Sequence, residues 1–236
     1  LDQLAQAFEL TVFDLLPKPL AGGPRQRIER ILERRSFDEL QAVARELELR
    51  FEQRHRRVIV LLGVRGVGKT TLGCELAQRL TMPFVELDDR VEAYAGLPLA
   101  ELISVYGERY YRQIEHQCLS ELLVSDQPAV VAAGGGVVEY LQSHDLLLRC
   151  ALTVYLSACA ETLWTRVLDQ GDDRPMSGRE TALAQLRLLL LRREPLYAKA
   201  QIRLVTDGRL VNRLVSDLVE DIQLLRADST QLRQGQ

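Results

Sequence analysis

Several features that define other classes of protein are missing from this sequence. It has no apolar run long enough to span a bilayer and no signal-peptide pattern, so the sequence predicts a cytoplasmic protein without membrane contact. Its four cysteines lack C-x-x-C spacing and its three histidines form no cluster, which favours buried free thiols over a zinc site. A net charge of -3 gives no general attraction to nucleic acid. Any DNA contact would therefore need a local basic feature.

The most informative stretch that is present runs from Val58 to Thr71, VIVLLGVRGVGKTT. A β-branched, leucine-rich run leads into G-x-x-x-x-G-K-[ST], and an amphipathic segment follows, which predicts a strand, a phosphate loop and a helix. Lys69 would reach the β- and γ-phosphates, and the Thr70 hydroxyl would bind Mg²⁺. A glycine-containing turn without a ligand is the alternative. The predicted nucleotide-binding residues of this loop are Gly63, Gly66, Val67, Gly68, Lys69, Thr70 and Thr71.

Apolar runs then alternate with helix-length amphipathic segments along the chain. We predict strands at Val58–Leu62, Phe84–Leu87, Ala129–Ala133, Leu152–Leu156 and Ile202–Val205. We predict helices at Leu99–Tyr106, Arg109–Val124, Glu139–Leu148, Ala160–Leu168, Glu180–Arg192 and Arg209–Leu225. Alternation of this kind predicts an α/β fold in which helices cover both faces of a parallel five-stranded sheet.

The first residues form a different region. Leu1, Leu4 and Phe8 have helical spacing, and a T-x-x-D cap at Thr11 leads into a second short apolar segment that ends at Pro17. The pattern L-x-x-L-A-x-A-F-x-L-x-V-x-D-L-L resembles the last helices of an XRE-type helix-turn-helix domain, with any amphipathic helical pair as the alternative. Because the chain begins without an initiator methionine, the resemblance implies that the DNA-reading helix precedes it.

Residues 18–57 combine a linker with basic helices. A stretch rich in proline and glycine is followed by a segment, 24–57, with ten arginines against seven acids, and Ser36 with Glu39 predicts a new helix N-cap there. Such a face could contact DNA phosphates or pair two subunits, although a solvated surface is the more common role. The predicted organisation is 1–17 helix-turn-helix remnant, 18–57 linker and basic helices, 58–226 phosphate-loop domain, and 227–236 disordered tail.

From Val58 to Leu225 the sequence resembles shikimate kinase, a nucleoside-monophosphate-kinase-like family of P-loop NTPases. The matching segments are P-F-V-E-L-D from Pro83, G-E-R-Y-Y-R-Q-I-E from Gly107, A-A-G-G-G ending at Gly136, D-R-P-M from Asp173, and R-R-E-P-L-Y from Arg192.

The resemblance implies a role for each matched residue. Lys69, Asp88 and the lid residue Arg174 would be catalytic, and Arg166 and Arg174 would join the nucleotide site. Two arginines suit the bidentate capture of a planar carboxylate. The implied substrate or effector contacts are Asp88, Arg112, Gly134, Gly135, Gly136 and Arg193.

Three positions depart from the family pattern. Glu86 stands where an aspartate usually helps Thr70 to hold Mg²⁺, and its extra methylene would move the carboxylate by about one bond length. Ala133 replaces a common threonine, and Tyr111 replaces the usual phenylalanine. These changes bear on turnover more than on nucleotide binding.

Two functions are compatible with these patterns. The main expectation is a transcriptional regulator, resembling the benzoyl-CoA-responsive regulators of aerobic benzoate degradation, in which the kinase-like domain senses an aromatic acyl-CoA. It would bind DNA through the preceding domain and, by analogy with two-fold regulators, form a homodimer. The alternative is an active shikimate kinase that uses Mg²⁺ and ATP to phosphorylate the 3-hydroxyl of shikimate.

Overall fold

The computed structural model describes residues 30–33, 35–43, 57–125, 127–169 and 179–234. The chain divides into two compact units, Leu1–Arg50 and Phe51–Gln236. In the first unit, the described residues form helical segments at 30–32 and 37–43. The predicted cap is confirmed: the backbone N–H of Glu39 donates to the Ser36 Oγ at 3.3 Å, and the N–H of Ser36 donates to the Glu39 Oε2 at 2.9 Å.

The second unit is built on a parallel five-stranded sheet in the order β2-β3-β1-β4-β5. The central strand β1 is buried along its whole length, as its continuous apolar sequence requires. Its residue Val60 is in register with Val131 of β3 and with Thr153 of β4. The strands are β1 Val58–Leu62, β2 Phe84–Glu86, β3 Ala129–Ala132, β4 Leu152–Ser157 and β5 Ile202–Val205.

Helices connect successive strands and cover the sheet. Helix α1 packs with α7, and α3 packs with α2 and α4. Gly73 permits a close approach of α1 to β2, because a Cβ at this position would lie 2.3 Å from the Phe84 ring. The helices are α1 Lys69–Leu80, α2 Leu87–Ala95, α3 Leu99–Val124, α4 Leu141–Cys150, α5 Ala160–Asp169, α6 Arg179–Tyr197 and α7 Val211–Gln234, with a 3₁₀ turn at Val137–Glu139.

The predicted α/β fold with its five parallel strands is confirmed, and the deviations are local. The strand predicted to end at Leu87 ends at Glu86, and α2 begins directly after it, a helix absent from the predicted set. Two acidic residues in the first turn of α2, Asp88 and Asp89, favour a helix start there. The two helices predicted around Gly107 form one element, in which that glycine is non-helical.

The last two helices run further than predicted. Helix α6 continues through Pro195 to Tyr197, and α7 continues to Gln234, through residues assigned above to a disordered tail. No glycine or proline interrupts the segment before Gly235, so nothing local stops the helix. The segment 1–17, with its helix-turn-helix resemblance, lies outside the described residues. Within the described ranges, no helix has both the length and the apolar character needed to cross a membrane.

Candidate functional site

The loop after β1 has a backbone that strongly favours glycine. Gly63, Gly66 and Gly68 have φ angles of 142°, 80° and 99°. A Cβ on Gly63 would lie 2.6 Å from the carbonyl oxygen of Leu156, and one on Gly66 would lie 2.8 Å from the Val167 Cγ2. The loop is therefore tightly enclosed by its neighbours and leads directly into the N-terminus of α1. This arrangement fits a bound phosphate.

Lys69, the first residue of α1, folds back over this loop. Its Nζ donates hydrogen bonds to the carbonyl oxygens of Gly63 at 2.9 Å and Val64 at 3.1 Å. Burial lowers the pKa of Lys69 to about 8, against the opposing effect of the carboxylates of Glu86 and Asp88. The ammonium group is thus held by two weak dipolar partners, and a polyphosphate would supply a stronger one.

The side chains of Thr70 and Glu86 place two oxygen atoms that can bind a metal ion side by side near the loop. The Thr70 Oγ1 donates a hydrogen bond of 2.5 Å to the Glu86 Oε1. No group of three or more histidine, cysteine and acidic side chains in the described ranges is arranged to hold a metal ion. Mg²⁺ usually takes few protein ligands and keeps water and phosphate oxygens. The pair therefore fits a Mg²⁺ ion that is shared with a nucleotide.

The loop borders a cavity of about 600 Å³ at the carboxyl ends of β1, β2 and β3. Open parallel sheets commonly bind ligands at this edge. The cavity is lined by Arg65, Gly66, Gly68, Lys69, Thr70, Thr71, Glu86, Asp88, Leu99, Ile103, Tyr111, Arg112, Ala133, Gly134, Gly135 and Gly136.

Arg112 is fixed in the wall of this cavity by acidic neighbours on α3. Its Nη1 donates to the Glu115 Oε2 at 2.8 Å and its Nη2 donates to the Glu108 Oε1 at 3.2 Å. The Glu115 side chain is 0% exposed. Burial raises the pKa of Glu115, although the Arg112 guanidinium opposes that change. A buried carboxylate thus orients the Arg112 guanidinium at the wall of the cavity.

Tyr111 connects this pair to Asp88. The Tyr111 hydroxyl lies 3.1 Å from the Glu115 Oε1 and 3.3 Å from the Asp88 Oδ1. Burial, followed by the charge of Glu115, raises the pKa of Tyr111, so the hydroxyl keeps its proton. Burial also raises the pKa of Asp88, while the Tyr111 hydrogen bond and the nearby Lys69 ammonium oppose the rise.

The three glycines after β3 leave room for these side chains. A Cβ on Gly136 would lie 2.1 Å from the Arg112 Nη2, and one on Gly134 would lie 3.0 Å from the Glu115 Oε1. Gly136 has an ordinary φ of −92°, so at this position the absence of a side chain matters for space and not for conformation.

Arg193 approaches the same turn from α6. Its Nη1 lies 3.5 Å from the place that a Cβ on Gly135 would occupy. Its Nε and Nη2 both donate to the Glu139 Oε2, at 2.9 and 2.5 Å, and Arg192 contacts the other oxygen of Glu139 at 2.7 Å. Partial burial opposes the change, but these hydrogen bonds lower the pKa of Glu139. The Tyr197 hydroxyl donates to the carbonyl oxygen of Gly135.

Arg166 lies on the other side of the phosphate loop. Its Nη1 donates to the Thr206 Oγ1 at 3.0 Å and to the carbonyl oxygen of Val67 at 3.4 Å. Its Nη2 donates to the carbonyl oxygen of Thr206 at 3.0 Å. The guanidinium thus joins the loop to the end of β5.

Comparison with known families identifies this architecture. The family model described as shikimate kinase matches residues 65–223. The chain belongs to the shikimate kinase family. It is 37% identical over 167 residues to a shikimate kinase of Symbiobacterium thermophilum, which covers 70% of this chain and 95% of that protein. It is 35% identical to a shikimate kinase of Thermus thermophilus over 70% of this chain and 89% of that protein.

A solved shikimate kinase has the same fold. The enzyme from Acinetobacter baumannii, determined in complex with shikimate, is 28% identical and has a TM-score of 0.64. The match covers 77% of this chain and 98% of that structure. The predicted shikimate-kinase-like P-loop fold is therefore confirmed.

The expected regulatory function is wrong. The relatives at 35–37% identity over 70% of the chain are named shikimate kinases, and none of these comparisons supports a helix-turn-helix regulator or a benzoyl-CoA sensor. The prediction rested on sixteen or so N-terminal residues with a degenerate pattern, whereas the kinase resemblance rested on ordered motifs over most of the chain. The predicted DNA contact has no support here, and the homodimer stays a prediction.

Within this kinase fold, the structure brings together most of the residues singled out from the sequence. Lys69, Asp88 and Arg112 line one cavity with the loop and the three glycines. Arg193 approaches the glycine turn that lines this cavity, and Arg166 contacts the phosphate loop from its other side. Arg174, with the lid segment 173–176, lies outside the described residues.

Glu115 and Glu139 were not predicted as site residues from the sequence. Glu115 has a local signal, because R-x-x-E on a helix puts an acid one turn after Arg112. Glu139 has none, since it meets Arg193 across 54 residues of chain.

Proposed function

We propose that this chain is an active shikimate kinase, which transfers the γ-phosphoryl group of ATP to the 3-hydroxyl of shikimate. The observation that carries the proposal is the single cavity in which the phosphate loop faces Asp88 and the buried Arg112–Glu115 pair. A polyphosphate and a small hydroxylated acid need these two kinds of surface side by side. The family membership of the chain supports the same conclusion.

On the donor side, the chain positions the nucleotide and neutralises its charge. The loop at the N-terminus of α1 binds the phosphates, and Lys69 exchanges its loop carbonyls for phosphate oxygens. Thr70 and Glu86, whose side-chain oxygens lie together beside the loop, would hold Mg²⁺. When bound, this ion neutralises negative charge on the β- and γ-phosphates.

On the acceptor side, Asp88 and Arg112 hold the substrate at two points. Asp88 orients the attacking hydroxyl and accepts its proton, and Arg112 binds the carboxylate through a guanidinium already fixed by Glu115. The glycine turn forms the wall against which the substrate ring packs. Phosphoryl transfer depends mainly on such positioning and on charge neutralisation.

Three further arginines complete the proposal. Arg193 is the second contact for the carboxylate, supported by its position beside Gly135, and its guanidinium is bound by Glu139. Arg166 borders the nucleotide base, supported by its contacts with the phosphate loop and β5. For Arg174, the family pattern alone supports a contact with the transferred phosphate.

A coupled assay of ADP release with Mg·ATP, with and without shikimate, tests this function. We expect turnover on the order of tens per second that depends on shikimate. Lys69→Ala is the control for the phosphate loop and Asp88→Asn is the control for the acceptor side. Release of ADP that is insensitive to shikimate, or no release at all, would contradict the proposal.

A further inference from the structure

The Tyr111 hydroxyl lies between two carboxylates at the inner wall of the cavity. It is 3.3 Å from the Asp88 Oδ1, on α2, and 3.1 Å from the Glu115 Oε1, on α3. Asp88 lines the cavity, whereas Glu115 is completely buried behind it. Tyr111 itself is only 5% exposed. The hydroxyl therefore lies between Asp88, which faces the cavity, and Glu115, which is completely buried.

The chemistry of a phenol limits what this hydroxyl can do. It has one hydrogen to donate, and each carboxylate oxygen beside it is an acceptor. Glu115 already receives a hydrogen bond of 2.8 Å from the Arg112 Nη1 on its other oxygen. Asp88 belongs to a different helix, in the first turn of α2. Donation to Asp88 therefore joins α3 to the start of α2.

The backbone of Gly134 lies close to this contact. A Cβ on Gly134 would lie 3.0 Å from the Glu115 Oε1, 3.2 Å from the Asp88 Oδ1 and 3.3 Å from the Tyr111 hydroxyl oxygen. Three polar side chains thus converge over one glycine. The Arg112 Cζ lies 4.8 Å from the centroid of the Tyr111 ring, so the guanidinium also contacts this group.

We propose that Tyr111 is a positioning residue of the phosphoryl-transfer reaction, whose hydroxyl holds the Asp88 carboxylate where it orients the attacking hydroxyl of the substrate. The same hydroxyl lies 3.1 Å from the Glu115 Oε1, and Glu115 accepts a hydrogen bond from Arg112. The two groups that contact opposite ends of the substrate are thereby held at a set separation. This inference rests on the proposed kinase function, in which Asp88 contacts the acceptor hydroxyl and Arg112 contacts the carboxylate.

Tyr111→Phe tests this role because it keeps the ring and removes the hydroxyl that lies between Asp88 and Glu115. We expect kcat to fall about tenfold, because the attacking hydroxyl is less well oriented. The KM for shikimate should change by less than about twofold, since Arg112 keeps its own bond to Glu115. Tyr110→Phe is the matched control: its side chain is 41% exposed and its ring contacts Tyr106, so neither constant should change.

Asp88 provides the second arm of the experiment. If Tyr111 acts through this carboxylate, Tyr111→Phe in an Asp88→Asn background should change the residual rate by less than about twofold. Equal losses in both backgrounds would overturn the inference. Glu115→Gln provides a contrast, because it weakens the support of Arg112; we expect it mainly to raise the KM for shikimate.

The outcomes distinguish a failure of the role of Tyr111 from a failure of the kinase function. Wild-type turnover that depends on shikimate, together with an unchanged kcat in a folded Tyr111→Phe, overturns the positioning role and leaves the kinase function intact. A change in KM alone also overturns it. Should the wild-type protein show no turnover with shikimate, the kinase function fails and the inference falls with it. Thermal melts check that each variant is folded before its kinetic constants are compared with those of the wild type.

Discussion

At the scale of the residue, Lys69 is a charged side chain that suits ligand binding better than it suits stability. Its ammonium group is buried against two loop carbonyls, and this burial lowers its pKa to about 8. Burying a charge with such partners is unfavourable for the ligand-free fold. Lys69 therefore stabilises the complex with phosphate and lowers the stability of the ligand-free protein.

Lys69→Met should therefore separate activity from stability. We expect kcat to fall by at least about a hundredfold, because a preorganised charge on the transferred group is lost. The free energy of unfolding of the ligand-free protein near neutral pH should not decrease, since methionine carries no charge into the loop. Steady-state kinetics and chemical denaturation measure the two effects. A marked loss of stability would contradict this account of Lys69.

Gly136 offers a second prediction at this scale. Its backbone conformation suits any residue, but an added Cβ would lie 2.1 Å from the Arg112 Nη2. Gly136→Ala should displace the guanidinium and raise the KM for shikimate by about tenfold. The KM for ATP serves as the internal control, because the Lys69 side of the cavity is untouched. Equal changes in both constants would indicate a general disturbance of the site.

At the scale of the element, Gly107 divides α3 into two segments. Its φ of 83° and ψ of 162° lie in a region that is essentially restricted to glycine. Leu99 and Ile103 precede the kink and Arg112 follows it, and all three line the cavity. The kink therefore lets one element contribute two parts of the cavity wall.

Gly107→Ala should be more damaging than Gly96→Ala, a matched change in the same region. A Cβ on either glycine meets nothing within 4 Å, so the difference is one of backbone conformation. Gly96 lies in the left-handed helical region at φ 68° and ψ 16°, where alanine costs about 1 kcal/mol. We expect a loss of about 3 kcal/mol at Gly107 with a higher KM for shikimate. Similar denaturation midpoints for both variants would argue against a strained kink.

At the scale of the whole molecule, His144 links stability to pH. Its Nε2 donates to the carbonyl oxygen of Leu196 at 3.1 Å, which joins α4 to α6. Burial lowers the pKa of His144 below its ordinary value of 6.5, and Lys199 acts in the same direction, while the Leu196 hydrogen bond and Asp145 oppose it. As the pH falls below about 6.5, the folded protein therefore binds fewer protons at His144 than the unfolded chain does. Stability from the neutral ring is present above about pH 6.5 and is lost as the pH falls below it.

The prediction is that His144→Gln flattens this dependence. Between about pH 7.5 and about pH 5.5, the wild-type protein should lose more unfolding free energy than the variant, because only the wild type must protonate a buried ring. Chemical denaturation at both pH values measures the difference. Parallel losses in the two proteins would assign the pH dependence to other groups.

Local patterns in the sequence determined much of the fold. The β-branched run before Gly63 and the spacing of the loop specify a strand, a phosphate loop and a helix within fourteen residues, since each signal depends on near neighbours. The five strands were predicted because buried parallel strands are short apolar runs. Helix α2 was missed altogether, and the C-terminal ends of α6 and α7 were placed too early, at Arg192 and Leu225.

The ordered motifs of the sequence also identified the kinase family, while the degenerate N-terminal pattern led to the wrong function. Only the tertiary structure decided how the polar groups combine. Asp88 meets Tyr111 across 23 residues, and Arg193 meets Glu139 across 54. No local periodicity encodes these pairs. They form because the parallel strands bring their carboxyl ends to one edge of the sheet, where side chains distant in sequence lie close together.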